Sequence, residues 1–181
     1  MDWLKSVDSS WTLFLDRDGV INKRIMNGYV TQISEFHFLE EVPQSISFFS
    51  KTFAHVFVVT NQQGIAKKRM LESNLLEIHR YMESEVEKFG GKISASYYAP
   101  ELASDENSSR KPKPTMALKA QRDFPEIVFE KSIMVGDTDS DILFGINLGM
   151  KTVRIKTEEA INVEADLTVD SLKSLKEIWE K

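Results

Sequence analysis

The stretch Trp11-Thr12-Leu13-Phe14-Leu15-Asp16-Arg17-Asp18-Gly19-Val20-Ile21-Asn22 decides the fold. Its first five residues are aromatic, β-branched or aliphatic without alternation, the pattern of a strand buried on both faces, and they stop at a polar turn containing Gly19. A second apolar run, His55 to Val59, ends the same way in Thr60-Asn61-Gln62-Gln63-Gly64. A third, Ser132 to Val135, empties into Gly136-Asp137-Thr138-Asp139-Ser140-Asp141. Apolar strands that each run into a polar loop, with helical patterns between them, predict an α/β protein built on a doubly wound, Rossmann-like parallel sheet. In such sheets ligands sit beyond the carboxyl ends of the strands.

Val42 to Phe53 reads as a helix. The clearest helical stripe is Leu71, Leu75, Ile78, Met82, Val86 and Phe89, closed by Gly90-Gly91. Ile93 to Tyr98 reads as a strand, Pro100 to Ser109 as a loop, and Thr115 to Phe124 as a short helix. The Asp137 segment leads into a helix to about Leu148, with Gly149 as its cap. Lys151 to Ile155 and Leu167 to Val169 read as later strands, and Ser171 as the N-cap of a last amphipathic helix. The 181 residues fit a single domain, its core at about 11–156 with a C-terminal strand and helix at 165–181. Only 43 residues lie between Asp16 and Thr60, and a helix and a loop nearly fill them, so no separate cap domain is expected there. The site should be open, with selectivity set by the loops around Asn22 to Glu35 and Ala99 to Ser109.

Composition narrows the function classes. A formal net charge of −5 disfavours a general binder of nucleic acid or anionic membrane, which needs a basic field. The absence of cysteine excludes disulfides, thiolate metal sites and cysteine nucleophiles. The N-terminal residues lack a basic region followed by an apolar run, and no stretch approaches 18 apolar residues, so a cytoplasmic location is the default expectation.

Each inferred strand delivers a polar kit to one sheet edge: Asp16 and Asp18, then Thr60 and Asn61, then Arg110 and Lys111, then Asp137 and Asp141. Two carboxylates 4 Å apart repel by about 4 kcal/mol at an effective dielectric of 20. Four together therefore call for a cation or for raised pKa values, and Mg2+, a hard ion that takes one or two carboxylates plus a phosphate oxygen, is the natural occupant. A calcium loop starting at Asp137 is excluded, because its sixth position is Ile142 rather than Gly and its twelfth is Leu148 rather than Glu. Taken singly, Asp-x-Asp-Gly and Thr60-Asn61 are ordinary turn chemistry, and Arg110-Lys111 and Lys67-Lys68-Arg69 ordinary solvated charge, the latter at a helix start. His37, His55 and His79 lie scattered and read as packing or surface residues. No P-loop, dinucleotide glycine fingerprint or Gly-x-Ser-x-Gly elbow occurs.

Taken in order, Phe14-Leu15-Asp16-Arg17-Asp18-Gly19-Val20-Ile21-Asn22, Thr60-Asn61-Gln62-Gln63-Gly64-Ile65-Ala66, Arg110-Lys111-Pro112-Lys113-Pro114 and Gly136-Asp137-Thr138-Asp139-Ser140-Asp141 resemble the haloacid dehalogenase (HAD) superfamily of phosphatases. The likeness spans about residues 11–156. Asp-Arg-Asp-Gly-Val-Ile-Asn, the following Gly28-Tyr29-Val30 and Arg-Lys-Pro-x-Pro are most similar to its heptose 1,7-bisphosphate 7-phosphatase and histidinol-phosphate phosphatase branch. Two departures stand out. Heptose bisphosphatases commonly carry a Cys-x-His and Cys-x-Cys zinc loop before Arg-Lys-Pro, whereas here the stretch runs from Tyr98-Ala99-Pro100-Glu101 to Asn107-Ser108-Ser109, so no zinc is expected; and Thr115 stands where relatives usually have Gly.

The resemblance implies a Mg2+-dependent phosphomonoester hydrolase. Asp16 would be the nucleophile that forms an aspartyl phosphate, and Asp18 the general acid and then base, a role that suits a carboxyl near its operating pKa. Asp16, the Asp18 carbonyl and Asp137 would hold the metal with Asp141 in support. Thr60, the Asn61 backbone N–H and Lys111 would hold phosphoryl oxygens, and Arg110 a substrate hydroxyl or second phosphate. The implied partner is a small phosphate ester, most of all D-glycero-D-manno-heptose 1,7-bisphosphate with histidinol phosphate as the alternative, and neither nucleic acid nor membrane. The protein is expected to be a monomer. A rival of another class, a non-enzymatic receiver-like phosphoacceptor module, uses the same residue types, but its paired acids precede the acceptor and no acid follows two residues beyond it.

Overall fold

The computed structural model describes residues 1–180. Six parallel strands form one sheet: β1 (Thr12–Leu15), β2 (His55–Asn61), β3 (Ala95–Ala99), β4 (Ser132–Gly136), β5 (Lys151–Ile155) and β6 (Leu167–Val169), in the spatial order β3-β2-β1-β4-β5-β6. The order reverses at β1, whose neighbours β2 and β4 both lie in register with it, Leu15 opposite Val58 on one side and Val135 on the other. A strand-order reversal opens a crevice at the carboxyl edge, and this one lies at the tips of β1, β2 and β4.

The unbroken apolar character of the strands follows from burial on both faces. Leu13, Leu15, Val56, Val58, Ile133, Val135, Val153 and Ile155 face one core, closed by α1 (Val42–Thr52), α2 (Glu72–Lys88) and α5 (Leu172–Trp179). The alternate residues Phe14, Phe57, Val59, Tyr97 and Met134 face a second core. Met116, Ala117 and Ala120 of α3 (Thr115–Asp123) and Phe144 of α4 (Asp139–Asn147) cover it. Every one of these core side chains is less than a tenth exposed, so each buried valine, leucine, isoleucine, phenylalanine and methionine contributes about 1.5–3 kcal/mol of transfer free energy. Ser171 caps α5 as expected, its Oγ accepting from the Ser174 N–H at 3.1 Å, and Gly90 and Gly149 close α2 and α4 with positive φ.

Three expectations shift. The third strand begins at Ala95 rather than Ile93, although the Ser94 N–H already bonds the Val56 carbonyl at 2.7 Å. The second strand runs on through Thr60 and Asn61, which are therefore held by the ladder rather than by a turn. Lys67-Lys68-Arg69 does not start a helix: 63–68 is a turn with Lys68 at φ 55°, and α2 begins at Glu72. Between β1 and β2 the chain forms a loop, one 3-10 turn (Ile33–Glu35) and α1.

Candidate active site

Parallel strands present all their carboxyl ends at one edge, so each loop arrives at the crevice from its own strand. The Asp16 N–H bonds the Val135 carbonyl at 2.9 Å, which extends the β1–β4 pairing one residue and sets Asp16 beside the start of the Asp137 loop. Carboxylate oxygens of Asp16, Asp137 and Asp141 all lie within 4.8 Å of one another, and all three residues are buried. Gly19 allows this: it sits at φ 98°, and a Cβ there would lie 2.0 Å from Asp137 Oδ2.

Two cations neutralise part of the cluster. The buried Lys111 ammonium donates to Asp16 Oδ1 at 2.7 Å and the Val59 carbonyl at 2.7 Å, and lies 2.6 Å from Asp141 Oδ1. Asn61 fixes the backbone that carries it, accepting from the Lys111 N–H at 2.9 Å and donating to its carbonyl at 3.3 Å. Arg24, from the loop after β1, donates to Asp137 Oδ1 at 2.7 Å and to the Asp18 carbonyl at 3.1 Å. Burial, reinforced by Asp16, raises the Asp137 carboxyl above its ordinary value in spite of Arg24. Burial likewise raises Asp16 against the pull of Lys111. Asp141 is lowered, because Lys111 and the Thr138 N–H and hydroxyl outweigh its burial. Three carboxylates against two cations leave the cluster short of positive charge, and its donors are hard oxygens, which fits a small divalent ion. With one oxygen on Lys111 and the other on Thr138, Asp141 serves chiefly to hold Lys111.

The Asp18 carboxylate is held by a different set of donors. Arg17 donates to both its oxygens at 2.9 and 3.1 Å, Asn22 to Oδ1 at 2.9 Å and Gln62 to Oδ2 at 2.8 Å. Burial opposes the charge, but Arg17 and the amide donors prevail and the carboxyl lies below its ordinary value. The free protein thus holds Asp18 as the carboxylate rather than near a neutral operating pKa, because its neighbour Arg17 is fully buried and paired with it. Behind Arg17, His79 of α2 lies 3.5 Å from Nη1 and is pushed down to about 3 by its burial and by that guanidinium.

A cleft of about 200 Å³ is lined by Asp16, Asp18, Arg24, Tyr29, Thr60, Asn61, Arg110, Lys111, Thr138, Ser140 and Asp141. Seven of the eight residues named from sequence line it, and Asp137 joins through the carboxylate cluster. Thr60 Oγ1 accepts from Gln62 Nε2 at 2.9 Å, and one buried nitrogen of Arg110, Nη1, has no hydrogen-bond partner. A second cleft of about 560 Å³ shares Asn61, Arg110, Lys111 and Ser140 with the first and runs out along Ser104 to Ser108 and Lys113. Its wall is tied without cysteine: Ser109 Oγ donates to both Glu101 oxygens at 2.8 and 2.9 Å, the Ala103 N–H bonds Gln63 Oε1 at 3.4 Å, and Lys113 reaches the Glu106 carbonyl. Arg17, Asn22, Arg24 and Gln62 escaped the sequence reading. Arg17, Asn22 and Gln62 lie inside the quoted motifs, and an arginine flanked by two acids is the signal that would have pointed to the first of them.

Comparison with known proteins places this architecture. A HAD-hydrolase-like family model matches residues 108–175. A D-glycero-alpha-D-manno-heptose-1,7-bisphosphate 7-phosphatase of Campylobacter jejuni is 38% identical over 166 residues, 92% of each chain. A D-glycero-beta-D-manno-heptose-1,7-bisphosphate 7-phosphatase of Helicobacter pylori is 31% identical, covering 86% of this chain and 88% of that one. A solved D,D-heptose 1,7-bisphosphate phosphatase of B. bronchiseptica, complexed with magnesium and phosphate, superposes with a TM-score of 0.84 over 94% of this chain and 98% of that chain, at 23% identity.

Proposed function

The chain belongs to the heptose 1,7-bisphosphate 7-phosphatase family of HAD-like hydrolases, and from that premise we propose that it removes the 7-phosphate of D-glycero-D-manno-heptose 1,7-bisphosphate, with Asp16 carrying the phosphoryl group between substrate and water. The observation that carries this reading is the division of labour at the tip of β1. Asp16 lies in a cation-bound carboxylate cluster, while Asp18, two residues on, lies in a separate donor pocket beside the same cleft.

Asp16 would hold Mg2+ together with Asp137 and the Asp18 carbonyl, with Asp141 behind them. The ion, when bound, offsets the charge of the phosphoryl oxygens and so reduces their repulsion from Asp16. The Asp16 carboxylate attacks phosphorus, the bond to the sugar oxygen breaks, and that oxygen takes its proton from Asp18. Asp18 then takes a proton from water, the resulting hydroxide attacks phosphorus, and the acyl phosphate P–O bond to Asp16 breaks, which releases phosphate and restores the carboxylate. Arg17, Asn22 and Gln62 favour the carboxylate form that accepts the water's proton; the acid form is favoured when a phosphoryl dianion arrives beside it and opposes Arg17. Lys111, Thr60 and the Asn61 N–H hold phosphoryl oxygens, and the unpartnered nitrogen of Arg110 takes a hydroxyl or the second phosphate in the larger cleft.

The single continuous sheet supports one catalytic domain. No helix among the described residues is long and apolar enough to cross a membrane. The test is kcat/KM for the α and β heptose bisphosphates against histidinol phosphate, measured as phosphate release with Mg2+. Preference for either heptose substrate is expected; a tenfold or greater preference for histidinol phosphate overturns the substrate, and no release from a broad panel of phosphomonoesters favours the receiver-like module.

A further inference from the structure

Arg24 contacts two of the oxygens assigned above to the metal. Its Nη2 donates to Asp137 Oδ1 at 2.7 Å and to the Asp18 carbonyl at 3.1 Å, and its Nε reaches the same carbonyl at 3.3 Å. On its far side Nη1 donates at 2.9 Å to Glu159, which lies 135 residues away on the segment after β5. We propose that Arg24 is a built-in, displaceable cation: in the free protein its guanidinium takes the place of the divalent ion on Asp137 and the Asp18 carbonyl, and the ion binds only as Arg24 withdraws. This rests on the metal-dependent reading above and goes beyond it, since it makes the strength of metal binding a property of a residue that is not a ligand.

The geometry supports displacement over coexistence. A guanidinium remains charged at every physiological pH, so Arg24 cannot clear the site by losing a proton and has to move. One nitrogen bonds both oxygens at hydrogen-bonding distance, and a small ion that binds those oxygens at about 2.1 Å needs the same space. Withdrawal is open to it: the Arg24 side chain is 26% exposed, and its outer anchor Glu159 is 42% exposed on a surface segment. By contrast Lys111, the other cation of the cluster, is 1% exposed and pinned by three oxygens. The cluster therefore holds one fixed cation and one removable cation. The removable one keeps Asp16 and Asp137 from facing each other without compensation before the metal arrives.

The test is Mg2+ titration of the full chain by isothermal calorimetry, paired with thermal shift in EDTA and across a Mg2+ series, on wild type, Arg24→Gln, Arg24→Lys and Lys23→Gln. Lys23 is exposed, and its substitution removes the same charge one residue away as a control for the general field. Arg24→Gln is expected to bind Mg2+ at least about tenfold more tightly, with a lower melting temperature in EDTA and a larger rise on adding the ion. Arg24→Lys should fall between it and wild type, and Lys23→Gln should stay within about twofold of wild type. Equal or weaker Mg2+ binding by both Arg24 variants overturns the proposal while leaving the metal reading intact, as does an equal gain in Lys23→Gln. Absence of Mg2+ binding in wild type and variants alike overturns both.

Discussion

Replacing Lys111 with Met removes the fixed cation of the site and tests how the acidic cluster is held. The ammonium lies 2.7 Å from Asp16 and 2.6 Å from Asp141, and is 1% exposed. At an effective dielectric of 20 each pair attracts by about 6 kcal/mol, against a desolvation cost of several kcal/mol per ion. The net value of such a triad is therefore small, but breaking it from one side strands two buried carboxylates, which costs about 3–5 kcal/mol. Lys111→Met should lose that much stability in urea unfolding at pH 8 in EDTA. The sign with pH follows from the carboxylates. Without Lys111 their folded pKa values rise above the unfolded value, so stability is fully present below that value and is lost as pH climbs through the raised ones. The deficit relative to wild type should accordingly shrink between pH 8 and pH 5.5, and adding Asp141→Asn should recover part of it in a double-mutant cycle. A deficit below about 1 kcal/mol at pH 8, or one of equal size at both pH values, would show that Lys111 does not hold the two carboxylates.

His79 and Gly19 give two further expectations. With its folded pKa pushed down to about 3, His79 contributes stability that is present above the unfolded value of 6.5 and is lost as pH falls below it. His79→Gln should therefore lose about 2 kcal/mol less than wild type between pH 7 and pH 5 in urea unfolding; parallel curves would show that Arg17 and burial do not exclude the proton. At Gly19, a side chain would meet Asp137 Oδ2 at 2.0 Å on a backbone at φ 98°. Gly19→Ala is expected to cut Mg2+-dependent phosphate release by at least about a hundredfold through displacement of Asp137, and a loss under tenfold would contradict the crowding.

The sheet was legible because its strands are buried on both faces. A double-faced strand is a continuous apolar word such as Thr12–Leu15 or Ser132–Gly136, and parallel strands put their polar endings on one edge whatever the loops do. Hence Asp16, Thr60, Lys111 and Asp141 could be grouped before any distance was known. Contacts that depend on which way a side chain turns were not legible. Arg17 stands between two acids in a motif that reads as solvated, yet it is fully buried against a histidine 62 residues away. Arg24 lies outside every motif, and its partners Asp137 and Glu159 are 113 and 135 residues distant. Lys67 to Arg69 misled because charge at a predicted helix start and charge in a tight turn look alike; the positive φ of Lys68 is a tertiary outcome that local preference does not foretell.

In the proposed mechanism Asp16 takes the phosphoryl group and Asp18 supplies its turnover. Rapid quench of Asp18→Asn with Mg2+ and an aryl phosphate, whose leaving group needs no proton, isolates the first step, and mass spectrometry then reads the peptide spanning Asp16. One phosphoryl group on Asp16, accumulating in the variant and transient in wild type, is expected. A phosphoryl group on any other residue, or an unlabelled Asp16 in a preparation that still releases the aryl alcohol, would contradict it.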